Sequence, residues 1–182
     1  MSAGDFRAVG EDEVYRGSLV RLARARFTAP DGTAFERDVV RHPGAVVVVP
    51  LVDPGTALLV RQFRAATGTE MLELPAGKRD VAGEPPEVTA GRELVEEVGR
   101  RPASLELLAE FYNSPGFCDE RTWLYLATGL CEVPADRQGV EEQAMSIHEV
   151  RLADLDELVA AREIVDAKTI VGLCLAARRA GS

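Results

Sequence analysis

The sequence predicts an α+β fold in which a mixed β-sheet is sandwiched between helices. A continuous apolar run from Ala45 to Val52, AVVVVPLV, suits a strand buried on both faces. Further strand-like and helical segments follow without a regular βαβ rhythm, which disfavours a doubly wound parallel sheet. The 182 residues, 46% hydrophobic, supply one full core with room for an N-terminal extension.

Taken in order, Glu13 to Phe27 alternates loosely through Val14, Leu19, Val20 and Leu22. Pro30-Asp31-Gly32 then turns the chain into Thr33 to Arg41. Residues 1–41 therefore read as a β-hairpin extension, and residues 42–182 as the main domain. Gly44 to Val52 opens the core sheet, and Ala57 to Phe63 returns after the Asp53-Pro54-Gly55 turn. Leu72 to Gly77, LELPAG, brings the chain out to a loop at the start of the candidate site. Pro85 and Pro86 suit the first turn of a helix, where a missing N–H is not needed, and Gly99 suits the position just past its end, so a helix is predicted over 86–98. Strands are expected at Leu105–Tyr112, Arg121–Ala127 and Met145–Val150, with Trp123 and Tyr125 as sheet residues. Helices are expected at Ala153–Arg162 and Ala167–Arg179, the second burying Ile170, Val171, Leu173, Cys174 and Leu175.

Composition excludes several functions. With 21 basic and 30 acidic residues, net −9, the chain is a poor nonspecific nucleic-acid binder, which needs Lys and Arg to displace counterions from phosphate. No run of 18 apolar residues and no signal-peptide pattern is present, so no membrane association is expected and the cytoplasm is the expected compartment. Cys118, Cys131 and Cys174 are odd in number and lack C-x-x-C spacing, which fits neither a disulfide framework nor a zinc knuckle. His42 and His148 lie apart from any nucleophile pattern and read as ordinary strand-end residues.

The segment 77–99, GKRDVAGEPPEVTAGRELVEEVG, is the most informative. On a helix, Glu93, Glu96 and Glu97 share an arc of roughly 100°, while Gly91, Leu94, Val95 and Val98 form the apolar stripe. Charge pattern alone allows a solvated face, with Arg92–Glu96, Glu96–Arg100 and Glu97–Arg101 pairs. Yet like charges at i, i+4 repel, so Glu93 facing Glu97 is a defect unless a cation lies between them. A site built from carboxylates alone calls for a hard, oxygen-loving ion, Mg²⁺ or Mn²⁺.

Glu84, seven residues, then Arg92-Glu93-Leu94-Val95-Glu96-Glu97-Val98-Gly99 resembles the box of the Nudix hydrolases. Two departures exist: Gly77 stands one residue too far from Glu84, and Arg100 takes a place that is apolar in the family. The extra residue falls in the loop 78–83, where an insertion costs little. The resemblance implies an α/β/α sandwich, the Nudix fold with its mixed central sheet. It also implies that Glu93 and Glu97 ligate the metal directly, that the Ala76 carbonyl adds an oxygen, that Glu96 is a ligand or bridges through water, and that Arg92 orients the glutamates.

Pro115, sixteen residues after Gly99, looks like a placement found in the ADP-ribose pyrophosphatase subgroup. Val60-Arg61-Gln62-Phe63-Arg64, Glu73-Leu74-Pro75-Ala76-Gly77 and Gly116-Phe117-Cys118-Asp119-Glu120 resemble that subgroup too, so the likeness covers residues 44–176. It implies metal-dependent hydrolysis of ADP-ribose to AMP and ribose 5-phosphate. Another nucleoside diphosphate sugar such as GDP-mannose is the nearest rival, and a non-catalytic nucleotide-sugar sensor is a different class of reading. The subgroup's arginine gripping phosphate or terminal ribose corresponds to Arg64, and Pro115, Glu73 and Glu120 are candidate substrate contacts. The general base is expected in the loop Gln138-Gly139-Val140-Glu141-Glu142-Gln143, at Glu142 first and Glu141 second. The N-terminal extension implies a homodimer.

Overall fold

The computed structural model describes residues 5–137 and 140–180, the side chains of 140, 141 and 180 lying outside that description. The chain divides into two compact units. One contains the described residues up to Gly44 together with Tyr112–Arg121, and the other contains Ala45–Phe111 and the chain from Thr122 onward. The extension thus recruits a segment that the sequence places in the main domain.

In the first unit, β1 (Arg7–Arg16), β2 (Arg21–Thr28) and β3 (Ala34–Arg41) form an antiparallel meander in that order. The expected two-segment hairpin is corrected to three strands. Gly17 donates to the Val20 carbonyl at 2.9 Å, so the chain reverses within the stretch read as one extended segment. Phe27 stacks on Phe35 with centroids 5.4 Å apart, and Arg37 covers the Phe35 ring at 4.8 Å. Glu11 accepts from both Arg21 and Arg41, and Arg41 reaches Asp119 at 3.0 Å, tying the recruited segment to β3. Val40 and Asp119 add backbone bonds across the same seam.

The second unit is a mixed seven-stranded sheet. It comprises β4 (Ala45–Asp53), β5 (Thr56–Arg64), β6 (Thr69–Glu73), β7 (Ala76–Lys78), β9 (Ser104–Tyr112), β10 (Arg121–Thr128) and β12 (Ser146–Arg151). The path runs β12-β5-β4-β10-β9, with β6 on β5 and β7 on β4; β4 and β10 pair in parallel, whereas β5 pairs antiparallel with β4, β6 and β12. Two short strands, β8 (Arg100–Arg101) and β11 (Cys131–Glu132), pair separately. Arg100, the departure after Gly99, belongs to β8 and pairs with Glu132 at 2.9 Å.

The apolar run of β4 is continuous because both faces are covered. Val46 and Val48 pack toward α1 (Pro86–Val98) with Val60, Leu94 and Val98, whereas Val47 and Val49 pack with Leu59, Leu74, Leu124 and Leu173 of α4 (Ala167–Ala180). Burying a side chain of this kind contributes about 1.5–3 kcal/mol, so two such rows place the helices firmly on opposite faces. The last expected pair of helices is observed with two changes: Ala153–Arg162 resolves into a 3₁₀ turn at Leu152–Asp154 and α3 (Leu155–Ala160), α2 being the short helix Val140–Gln143, and Val171, expected on the buried side of α4, is 37% exposed. The stretch Leu72–Gly77, expected to bring the chain out to a loop, contains the end of β6 and the start of β7, split by Leu74 and Pro75.

Candidate active site

Helix α1 begins with Pro86 in its first turn and ends at Gly99, whose φ of 62° is left-handed and whose N–H caps the carbonyls of Leu94 and Val95. Its bounds are those expected. Its faces are not: Val95 is only half-buried, while Glu93 and Glu97 are 9% and 4% exposed and lie beside the apolar row Ala90, Leu94 and Val98. The carboxylates meet the protein interior instead of projecting into solvent.

Arg92 organises the rest of the arc. Its guanidinium reaches Glu93 at 3.0 Å, Glu96 at 2.9 Å and Glu84 at 3.5 Å, and Glu84 also accepts the Thr89 hydroxyl at 2.7 Å. That bond to Thr89, with the nearby arginines, holds the Glu84 carboxyl below the usual range. In the loop carrying the extra residue, Arg79 donates to the Glu84 carbonyl at 2.9 Å and lies 4.4 Å over the Trp123 ring. The insertion is thereby pinned, and the helical carboxylates stay in place.

A cleft of about 310 Å³ in this unit is lined by Gln62, Phe63, Arg64, Ala65, Ala76, Gly77, Lys78, Glu93, Glu97 and Glu142. Ala76 N–H donates to Glu97 at 3.1 Å, and a Cβ at Gly77 would overlap the Glu93 carboxyl, so any side chain there would displace that carboxyl from its present position. Burial pushes the Glu93 carboxyl up to about 7, against the opposing pull of Arg92. Burial likewise pushes Glu97 to about 8, against the Ala76 hydrogen bond. A more apolar hollow of about 340 Å³, lined by Leu51, Val52, Leu126 and Ala176 among others, contains no such carboxylate pair.

The donor set can be tested against a divalent ion. Among the described residues, no group of three or more His, Cys, Asp or Glu side chains converges to hold one. Arg92 reaches both Glu93 and Glu96, but only Glu93 and Glu97 line the cleft, as two buried oxygen donors beside the backbone of β7. Two carboxylates, with remaining positions filled by backbone oxygen, water and substrate phosphate, are a fitting set for Mg²⁺ or Mn²⁺.

Of the other residues singled out from sequence, Arg64 and Glu142 line the cleft. Glu73 lies 3% exposed and accepts the Arg64 Nε–H at 2.6 Å, so it holds that arginine. The side chain of Glu141 lies outside the described residues. Pro115 and Glu120 belong to the first unit, where Pro115 lines a hollow with Phe27, Arg37 and Phe117, and Glu120 lies 3.9 Å from His42. Sequence reasoning missed Gln62, Lys78 and Arg137. Arg137 donates to the Glu97 carbonyl at 3.1 Å and to the Met145 carbonyl at 2.8 Å, bracketing the segment that carries Glu142. Gln62 within β5, Lys78 at the end of β7 and Arg137 beyond β11 stand singly, with no spacing signal that would have marked them.

The family model described as NUDIX domain matches residues 41–171. The chain belongs to the Nudix family. This Nudix chain is 37% identical to an ADP-ribose pyrophosphatase of Bacillus subtilis, over 93% of its own length and 91% of the relative's. It is 39% identical to an ADP-ribose pyrophosphatase of Mycobacterium tuberculosis, over 95% and 84% respectively. A solved structure described as an ADP compounds hydrolase superposes with a TM-score of 0.83 over 98% of this chain and 96% of that one, at 22% identity. The Nudix fold expected from the box is therefore the observed fold.

Proposed function

We propose that the chain hydrolyses the diphosphate bond of ADP-ribose, giving AMP and ribose 5-phosphate, with Mg²⁺ or Mn²⁺ held by Glu93, Glu97 and the Ala76 carbonyl. The observation that carries this reading is the buried Glu93–Glu97 pair lining one cleft with Arg64; the names of the two bacterial relatives select the substrate. A bound divalent ion supplies neutralisation of the diphosphate oxygens and a lowered pKa for water.

The chain's own residues do the rest. Arg64, oriented by Glu73, grips a phosphate or the terminal ribose. Arg92 fixes Glu93 and Glu96, which spares these carboxylates reorganisation during the reaction. Glu96 ligates directly or through water. Glu142, in the cleft wall, accepts the proton of the attacking water, with Glu141 the second choice. Pro115 and Glu120 serve as substrate contacts, and two copies of the chain associate through the N-terminal extension. A sensor that binds without hydrolysing would not need the complete box carboxylates this chain retains.

The test is product identification after incubation with Mg²⁺ and ADP-ribose, GDP-mannose, NADH, a diadenosine polyphosphate and a nucleoside triphosphate. AMP and ribose 5-phosphate from ADP-ribose are expected, and chelation should abolish them. Glu142→Gln should lower kcat by about 10²- to 10⁴-fold with KM little changed. Binding of ADP-ribose without turnover would replace the hydrolase by the sensor, and loss of kcat in Glu141→Gln alone would move the base to Glu141.

A further inference from the structure

Among the described residues that line the cleft, Gln62 carries a buried polar group without a hydrogen-bond partner and without a part in the proposed reaction. Residues 60, 62 and 64 of β5 alternate onto the face that meets α1: Val60 packs with Leu94 and Val98, and Gln62 and Arg64 continue into the cleft wall beside Glu93, Glu97 and Glu142. Gln62 is 6% exposed, and its Nε2 has no acceptor among the described residues. Native proteins leave few buried amide donors unsatisfied, and those that occur call for an explanation such as a ligand or water. Arg64, its neighbour on the same face, is by contrast held by Glu73 at 2.6 Å.

We propose that the Gln62 amide donates to a non-bridging oxygen of the substrate diphosphate, as a neutral companion to Arg64. This rests on the hydrolase reading above. The terminal amide torsion is broad, so a small rotation presents the N–H to a bound phosphate. Neutrality is the reason for glutamine at this point. A lysine or arginine here would pair with Glu93 or Glu97 and compete with the divalent ion, whereas an amide can bind a phosphate oxygen without displacing a cation. The acceptor is specific in kind, because an uncharged donor beside Glu93 and Glu97 gains most from an oxygen that arrives with its own counterion.

The experiment compares the full-length parent with Gln62→Met, which keeps length and volume without the donor, and Gln62→Asn, which keeps the amide but withdraws it. Steady-state kinetics with ADP-ribose and Mg²⁺ are read beside the Tm of the ligand-free protein and calorimetric binding of the α,β-methylene analogue of ADP-ribose. In Gln62→Met, kcat/KM and analogue affinity should fall by about 10- to 100-fold, the range for a hydrogen bond to a charged group, with Tm equal to the parent's or higher because an unsatisfied buried donor has been removed. Gln62→Asn should lose activity similarly and serves as the decisive variant if Gln62→Met does not fold. Activity within twofold of the parent, or a loss that tracks a falling Tm, overturns the proposal. A parent that turns over no ADP-ribose overturns the hydrolase reading instead.

Discussion

Burial sets the protonation of Glu93 and Glu97 before any ion arrives. Their folded-state values, about 7 and about 8, stand above the ordinary 4.5 because desolvation disfavours the charged form. Between roughly pH 4.5 and 8 the folded protein therefore retains protons that the unfolded chain has released, and stability must fall as pH rises through that window. The contribution is fully present below pH 4.5 and lost above 8. We expect the metal-free Tm to drop steadily from pH 5 to 8, Glu97→Gln to flatten the slope and raise the Tm at pH 8, and Mg²⁺ to recover the parent there. Thermal melts across pH, with and without chelator, check this; a metal-free Tm that rises from pH 5 to 8 contradicts it.

At the scale of elements, the start of α4 controls the segment that delivers Ala76. Asp166 accepts the Thr169 N–H at 2.9 Å and its hydroxyl at 2.8 Å, and the same hydroxyl accepts the buried Leu74 N–H at 2.9 Å. Burial works against the Asp166 carboxyl, but Lys168 and these bonds hold it below its usual value. Thr169→Val keeps the shape and strands the Leu74 N–H, so it should cost about 1–3 kcal/mol in urea unfolding and speed hydrogen exchange at Leu74, while Thr169→Ser should stay near the parent. An unchanged Leu74 exchange rate in Thr169→Val would mean that the helix does not hold this segment. No sequence pattern announces such a link, since Leu74 and Thr169 are 95 residues apart. The same holds for Glu73: its partner Arg64 lies across a strand pairing that LELPAG, broken by Pro75, did not reveal. Helix α1, by contrast, was legible to the residue because Pro85-Pro86 and Gly99 act locally. What remained hidden there was burial, since helical periodicity marks Glu93 and Glu97 as one arc but cannot tell whether β7 closes over it.

For the molecule as a whole, the N-terminal meander exposes apolar side chains on an edge strand, Val9 at 66% and Tyr15 at 62%, with Val14 and Phe6 also open. Unpaired strand edges with apolar side chains are interaction surfaces unless covered. A symmetric pair of chains covers them on both copies at once. We expect sedimentation of the full-length chain at micromolar concentration to give a dimer, and Val14→Glu with Tyr15→Glu to weaken association by about tenfold or more while the far-UV spectrum is kept. A full-length monomer at that concentration would remove the dimer.

The contact between Gly77 and the Glu93 carboxyl bears on how activity is inherited. Every coding change at that glycine puts at least one carbon where the carboxyl lies. A descendant can therefore lose catalysis in one step while keeping all of its box acids, its net charge and its fold. Counting glutamates would classify such a descendant as an enzyme; inspecting the residue opposite Glu93 would not.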